Sequence, residues 1–139
     1  MDKSFNINID GYWRDEHKAS IPQHSGIYFV YACEFDKNAK TVSLKKLIYI
    51  GEAGDVNARL ANHEKYPKWK KHLNGTQQLC FSTAPVLSAD RERVEAAYIF
   101  SHKPPENTEY VNNFPFDKTT VISTGNTALL KDTFAVIKT

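Results

Sequence analysis

Four lysines interleaved with aromatic residues form the most strongly charged segment of the chain, HEKYPKWKKH at positions 63–72. With Glu64 as the single acid, this segment carries a charge of +3 over ten residues before either histidine is counted. Lysines neutralise phosphates and exposed rings stack on bases, so the composition suits a nucleic-acid surface. A solvated helix end followed by a loop explains the same residues without any ligand. The candidate DNA-binding residues are Lys65, Lys68, Lys70, Lys71 and Trp69.

Two further clusters combine charged side chains at helical spacing. Arg59 and His63 are four residues apart, which places both on one face of a helix. Glu95 follows Arg91 and Arg93 in a segment rich in helix formers. An exposed helix with this many charges forms ion pairs between residues four apart and needs no further role. Taken singly, none of these residues indicates a function.

The segments that carry these residues alternate between strand-like and helix-like patterns. Residues 25–34 and 41–51 are rich in β-branched and aromatic residues, and the polar turn between them predicts an antiparallel hairpin. A helix is predicted over 55–66, with Asp55 as its N-cap and Pro67 as its end.

The second half of the chain adds one more predicted strand and helix. The strand covers 77–83, and the helix runs from Ser88 until Pro104 and Pro105 stop it. Short strands are predicted at 119–123 and 133–138. The order predicts an α+β fold: a small three-stranded antiparallel sheet flanked by helices, with an extra β tail.

Read together, six of these positions resemble the signature of the GIY-YIG nuclease superfamily. Gly26-Ile27-Tyr28 stands on the first predicted strand, and Tyr49-Ile50-Gly51 ends the second. Each tripeptide alone is common in strands, but the ordered set is much more specific. The other matching positions are a helix arginine, its histidine partner, a glutamate on the second helix and a closing asparagine after two prolines: Arg59, His63, Glu95 and Asn107.

The resemblance implies a metal-dependent endonuclease that hydrolyses phosphodiester bonds in DNA and uses Mg²⁺ or Mn²⁺. It makes Glu95 the protein ligand of the metal and places Arg59 against the scissile phosphate. Tyr28 is implied as the general base toward water, assisted by the other proton-handling side chains. Gly26 and Gly51 are implied as positions of close backbone approach. The implied catalytic residues are Tyr28, Tyr49, Arg59, His63, Glu95 and Asn107.

The length of 139 residues fits one domain. The resemblance covers about 25–108, which we take as the nuclease domain. Residues 1–24 are then a polar N-terminal extension, and 109–139 a C-terminal extension packed on the same domain. The net charge of +2 neither indicates nor excludes a nucleic-acid partner, since the clustering of cations matters more than their sum.

Two features predict a cytoplasmic protein without a membrane partner. The longest apolar run, 27–33, has seven residues, far fewer than the roughly 20 of a membrane-spanning helix, and the polar N-terminus lacks the apolar core of a signal peptide. Cys33 and Cys80 are 47 positions apart, with no metal-binding spacing near them. A zinc site or a disulfide scaffold is therefore not expected, and a reducing compartment is.

A second function of a different class is consistent with the same residues. A catalytically silent nucleic-acid-binding or protein-interaction module would keep the fold without turnover, although such a module has no chemical need for Glu95 or Tyr28. Among nucleases, restriction and repair roles both fit. A palindromic target would require two copies of the chain, so a homodimer is the expected partner arrangement in that case.

Overall fold

The centre of the protein is a long antiparallel hairpin. In the computed structural model, which describes residues 1–139, its strands are β2 (Gly26–Asp36) and β3 (Thr41–Ala53). The chain reverses through a turn in which the Asp36 carboxylate accepts hydrogen bonds from the backbone N–H groups of Asn38 and Ala39, at 2.9 and 3.1 Å. Such side-chain caps favour aspartate at the start of a turn. The predicted hairpin is thus present.

The hairpin belongs to a six-stranded mixed sheet that curls into a half-barrel. The strand order is β3-β2-β4-β1-β5-β6, and all neighbours are antiparallel except β1 and β5, which are parallel. The remaining strands are β1 (Lys3–Arg14), β4 (Gln78–Pro85), β5 (Thr119–Gly125) and β6 (Thr133–Val136). The predicted small three-stranded sheet flanked by helices is therefore wrong.

The N-terminal residues account for most of this difference. Phe5, Ile7 and Ile9 alternate with exposed residues and are buried, so β1 has one apolar face. That face joins the core between β4 and β5, because a strand with an alternating pattern is stable only where one side is covered. Through β1, the two C-terminal strands extend the same sheet rather than forming a separate tail.

Three short α-helices cover parts of the sheet: α1 (Val56–Ala61), α2 (Tyr66–Lys70) and α3 (Arg91–His102). The side chain of Asp55 caps α1, accepting from the Ala58 N–H at 3.1 Å. The helix predicted over 55–66 ends early, at Ala61, and Pro67 lies in the first turn of α2 instead of stopping a helix. Proline suits a first turn because the N–H it lacks would have no partner there.

The helix α3 begins after Asp90 rather than at Ser88 and ends at Lys103, whose left-handed φ of 48° closes the last turn. A six-residue 3-10 helix (Asp15–Ser20) follows β1. None of the helices combines the length with the apolar composition that a membrane crossing requires.

Both faces of β2 are buried, which explains its unbroken apolar run. Ile27, Phe29 and Tyr31 belong to the larger core cluster, which also contains the inner face of α3. Tyr28 and Val30 belong to a second cluster that includes residues of α1 and α2. A strand covered on both faces has no polar alternation, because neither side meets water.

We predict that Ile9→Ala destabilises the protein by about 2–5 kcal/mol, because Ile9 is only 1% exposed and its truncation leaves a cavity. Ile137→Ala is the matched control, since Ile137 is 68% exposed and its loss should change stability by less than about 0.5 kcal/mol. Chemical denaturation measures both free energies of unfolding. Equal, small effects would contradict the placement of β1 in the core.

Candidate active site

A hydrogen bond between two buried side chains lies at the centre of the candidate site. Tyr28 is on β2, and His63 follows the end of α1; Tyr28 Oη and His63 Nε2 are 2.8 Å apart. Both side chains are buried, with 1% of Tyr28 and 5% of His63 exposed. The pairing is possible because α1 ends at Ala61 and the chain then turns inward. Arg59 and His63 therefore do not share one continuous helix.

The protonation of His63 follows from its second contact. The backbone N–H of Lys65 donates to His63 Nδ1 at 3.1 Å, so Nδ1 is an acceptor. Burial, with help from the Arg59 charge, lowers the pKa of His63 to about 4, so the ring is neutral near pH 7. A neutral ring that accepts at Nδ1 carries its proton on Nε2. His63 therefore donates its Nε2–H to Tyr28 Oη.

Two more aromatic rings surround this pair. The ring centroid of Tyr49 is 5.6 Å from that of His63, and the centroid of Trp69 is 4.4 Å from it. Trp69 is fully buried, so its ring supports His63 from the core and is not exposed for stacking on DNA. Burial, as its largest cause, raises the pKa of Tyr28 well above its ordinary value.

Gly51 makes room for the Tyr28 ring. The two residues face each other in the β2–β3 pairing, and a Cβ at position 51 would overlap Cζ and Oη of Tyr28. Gly26 has a different neighbour, because a Cβ there would overlap the backbone carbonyl oxygen of Ala84 on β4. Gly26 thus allows two strands to approach, whereas Gly51 allows an aromatic side chain to cross the backbone of its neighbour.

Arg59 forms an ion pair with Glu64, a residue to which the sequence pattern assigns no role at the site. Its Nη1 and Nη2 donate to the two carboxylate oxygens of Glu64 at 2.6 and 2.8 Å. These hydrogen bonds lower the pKa of Glu64 to about 2 and raise that of Arg59. The one signal in the sequence was that Glu64 is the single acid of a lysine-rich segment.

Glu95 lies on the wall of a cavity of about 270 Å³. Burial raises the pKa of Glu95 to about 8, helped by the nearby charges of Glu52, Glu109 and Glu92. Glu95 takes part in none of the ion pairs of the protein, so its charge has no cationic partner. The cavity is lined by Tyr49, Lys65, Glu95, Ile99, Asn107, Thr108 and Glu109.

Asn107 ties the segment after α3 to the edge of the sheet. Its side-chain oxygen accepts from the Ile50 N–H and its amide group donates to the Ile50 carbonyl, both at 2.9 Å. The next residue back, Glu106, contacts His72 Nε2 at 2.6 Å, and His72 Nδ1 is 2.8 Å from Lys46 Nζ. The cavity wall is therefore fixed to β3 by hydrogen bonds from the Asn107 side-chain amide. These hydrogen bonds mimic those of a neighbouring strand.

Tyr49 lies between the Tyr28–His63 pair and the cavity that Glu95 lines. Burial raises the pKa of Tyr49 to about 12; the charge of Glu95 adds to this rise, and that of Arg59 opposes it. Tyr49 lines the cavity together with Glu95, while Arg59 lies outside it beside Glu64. The structure thus brings five of the six matched residues around Tyr49 and His63 or the cavity, and holds Arg59 at the margin.

The lysines of the 63–72 segment divide into two groups. Lys65 is half-buried and lines the cavity, with Nζ 5.9 Å from the ring centroid of Tyr49. Lys68, Lys70 and Lys71 are exposed at the surface of α2 and just after it. The exposed three provide positive charge next to a cavity wall that is rich in acids.

One carboxylate stands out as a potential metal ligand. The structure contains no group of three or more histidine, cysteine, aspartate or glutamate side chains arranged to hold an ion. Glu95 nevertheless has the chemistry of a hard-cation ligand, since its carboxylate is half-buried, unpaired with any cation and close to other acids. A divalent cation would relieve that repulsion, so the donor fits Mg²⁺ or Mn²⁺.

We predict that Gly51→Ala destabilises the protein by about 1–3 kcal/mol, because the added methyl group must displace the Tyr28 ring. Gly54→Ala is the control, because the nearest atom to its Cβ would be Arg91 Nη1 at 4.0 Å. Thermal unfolding measures stability, and the NMR signal of the His63 ring N–H reports whether its hydrogen bond survives. Equal stability of the two variants would contradict the close approach.

A second prediction concerns the pH dependence of stability in metal-free buffer. Because the folded-state pKa of Glu95 is about 8, above the usual 4.5, the folded chain holds a proton that the unfolded chain releases between these values. The free energy of unfolding should therefore fall as pH rises toward 8, by at most about 1.4 kcal/mol per pH unit. Glu95→Gln should remove this part of the slope.

The control for that measurement is Glu34→Gln, which makes the same charge change at an exposed residue without an ion pair. Denaturation curves between about pH 5 and pH 9 compare the three proteins. If Glu95→Gln and Glu34→Gln have the same pH profile as the unchanged chain, the pKa of Glu95 is not raised.

Comparison of the chain with protein-family models, with curated proteins and with solved structures gave no match. The resemblance to the GIY-YIG nucleases therefore stays a prediction from six positions of the sequence. What the structure contributes is their geometry: a buried tyrosine–histidine pair, a glycine that makes room for it, and an unpaired carboxylate beside a second tyrosine.

Proposed function

We propose that the protein is a metal-dependent DNA endonuclease of the GIY-YIG type. The observation that carries this proposal is the unpaired carboxylate of Glu95, which shares a cavity wall with Tyr49 and has its pKa raised to about 8. Perturbed titratable groups that line a cavity are frequent at catalytic sites. The two free, buried cysteines fit a cytoplasmic location, which is part of the same proposal.

In this proposal, Glu95 is the protein ligand of Mg²⁺ or Mn²⁺, and water and substrate oxygens complete the coordination. When bound, the ion supplies positive charge that stabilises the negative charge developing on the phosphate. The Asn107 amide is hydrogen-bonded at both ends to the Ile50 backbone, so in this proposal Asn107 has a positioning role. It positions the wall that faces Glu95.

Tyr28 is the proposed proton-transfer residue. Because burial raises its pKa, the phenol keeps its proton near neutral pH. Its oxygen accepts one hydrogen bond from His63 and has a second lone pair, which can accept a proton from the attacking water. As that proton arrives, the phenol's own O–H proton passes to a phosphate oxygen, so the residue ends neutral. The His63 donor stabilises any negative charge on the oxygen during this transfer.

Arg59 is the proposed partner of the scissile phosphate, and it must leave Glu64 to reach it. The Glu64 side chain is 67% exposed, and solvent screening makes exposed ion pairs weak and readily exchanged. A phosphate oxygen pair can therefore replace the carboxylate in the same two-pronged geometry. The exposed lysines Lys68, Lys70 and Lys71 would contact backbone phosphates farther along the duplex.

One observation favours a second candidate, a catalytically silent nucleic-acid-binding or protein-interaction module. The guanidinium of Arg59 is already occupied by both carboxylate oxygens of Glu64. A module of this kind would bind DNA equally well with Mg²⁺ and with EDTA, and it would release no product on long incubation.

We predict that the protein converts supercoiled plasmid to nicked or linear DNA in Mg²⁺ or Mn²⁺. Glu95→Gln, Arg59→Ala and Tyr28→Phe should each lower the rate by about 100-fold or more, since each removes a charge or proton-transfer group at the reacting phosphate. Glu34→Gln should cleave at the unaltered rate. Thermal unfolding of every variant separates lost chemistry from lost folding.

The proposal fails if the unaltered protein leaves plasmid, linear duplex and branched DNA intact with either metal. It also fails if Glu95→Gln cleaves as fast as the control. If the protein does cleave DNA, mapping the product ends distinguishes the biological roles. Fixed ends indicate a restriction enzyme, and junction-dependent ends indicate a repair enzyme.

A further inference from the structure

The largest cavity of the protein lies away from the candidate active site. It has a volume of about 860 Å³ and is formed by the end of β1, the 3-10 helix and the turn of the β2–β3 hairpin. We call this cavity the hairpin groove. The residues that matter for its chemistry are Trp13, Arg14, His17, Phe35, Lys37 and Lys40.

The lining of the hairpin groove carries positive charge only. Two lysines, one arginine and one histidine line it, and no acidic residue does. Arg14 is ion-paired with Glu16 on the 3-10 helix. The side chains of Lys37 and Lys40 are exposed and form no ion pair, so their charges are free for an anionic ligand.

Planar groups lie beside these charges. The guanidinium carbon of Arg14 is 3.7 Å from the ring centroid of Phe35, which is a stacked arrangement. Trp13 is half-buried, and one side of it packs against the core cluster that contains Tyr28. Nucleic-acid bases stack on aromatic rings and on arginine planes when they are not already stacked in a duplex. A ligand with planar groups and phosphates matches both features of the groove.

The groove is connected to the candidate active site along the protein surface. The 3-10 helix contacts α2, because Tyr66 donates to Asp15 and Lys18 Nζ lies 4.5 Å from the Tyr66 ring centroid. Lys70 Nζ on α2 is 5.5 Å from the same centroid. Positive side chains therefore continue from α2 to the groove.

The spacing between the two places follows from the strand that joins them. Tyr28 and Phe35 are seven residues apart on β2, which corresponds to about 23 Å at a rise of about 3.3 Å per residue. A duplex strand advances about 3.4 Å per nucleotide and an unpaired strand is more extended, so an unpaired strand covers the same distance with at most about seven nucleotides.

We propose that the hairpin groove binds an unpaired strand of the nucleic-acid substrate, at most about seven nucleotides from the phosphate at Tyr28. This inference rests on the proposed nuclease function, because it takes the Tyr28 site as the place of the scissile phosphate. Bases of the strand stack at Arg14, Phe35 and Trp13, and its phosphates meet Lys37 and Lys40. A continuous duplex would not fit this role, since its bases are stacked on one another.

The test uses binding rather than cleavage, in EDTA. Three fluorescent DNAs share one short duplex and carry single-stranded extensions of zero, about 2 and about 12 nucleotides. We expect the longest extension to bind about tenfold more tightly than the blunt duplex, and the short one to bind like the blunt duplex. Lys37→Glu/Lys40→Glu should abolish this gain in affinity. For the long-tailed DNA, it should also reduce the slope of log K against log salt concentration by about 1.4 in magnitude, because two phosphate contacts are lost.

The matched control is Lys118→Glu/Lys138→Glu, which makes the same charge change at exposed lysines near the opposite edge of the sheet. It should keep the gain. The proposal is overturned if the extension gives no gain, or if both double variants lose the gain equally. It is also overturned if thymidine monophosphate or polyglutamate displaces the tail as well as single-stranded DNA does, because the groove would then bind a free nucleotide or an acidic peptide.

The same set of measurements separates this inference from the proposed function. If the tail gain depends on Lys37 and Lys40 but no DNA is ever cleaved, the groove binds single strands and the nuclease proposal fails. If the protein cleaves DNA with and without an extension at equal rates and with equal affinity, the nuclease proposal stands and the groove inference fails.

Discussion

The crossing of the Tyr28 ring over the backbone at Gly51 is the constraint on which the candidate site depends. Adjacent strands hold the two residues in register, and the absence of a side chain at Gly51 lets the ring lie across its neighbour. Only in that position does the phenol oxygen reach His63. The glycine is needed for the side chain that passes over it, not for an unusual backbone angle. Trp69 then fills the space behind His63 and fixes its ring.

The electrostatics of the site are unbalanced in the absence of a ligand. Glu95 is half-buried near other carboxylates and keeps its proton near neutral pH, while Arg59 lies outside the cavity that Glu95 lines. A fold that needed only stability would pair these charges with one another, since burying an unpaired charge is costly. The protein instead pairs Arg59 with an exposed glutamate, from which a phosphate can take it. In the proposed function, a metal at the half-buried acid of Glu95 and a phosphate in place of the exposed partner of Arg59 would complete the site.

The local elements of the fold could be predicted from the sequence much better than the sheet that they form. The hairpin, the strand after residue 77 and the two C-terminal strands all lie close to the predicted positions. The prediction of a three-stranded sheet is wrong because it omits β1, although Phe5, Ile7 and Ile9 alternate with polar residues in the period of two that is typical of a strand. Their polar neighbours made the segment look like an extension. The prediction that Pro67 ends a helix is wrong as well. Proline is common both just after one helix and in the first turn of the next, and Pro67 lies in the first turn of α2.

The residue pattern is sufficient to predict which side chains share a strand or a helix and how far apart they stand there, because these depend on neighbours along the chain. It thereby placed Tyr28 and Tyr49 on paired strands and Glu95 on a helix. The burial of Trp69 and the hydrogen bond from His63 to Tyr28 follow instead from how the folded chain packs. Those facts depend on which faces of distant elements are buried together, and no local propensity encodes that choice.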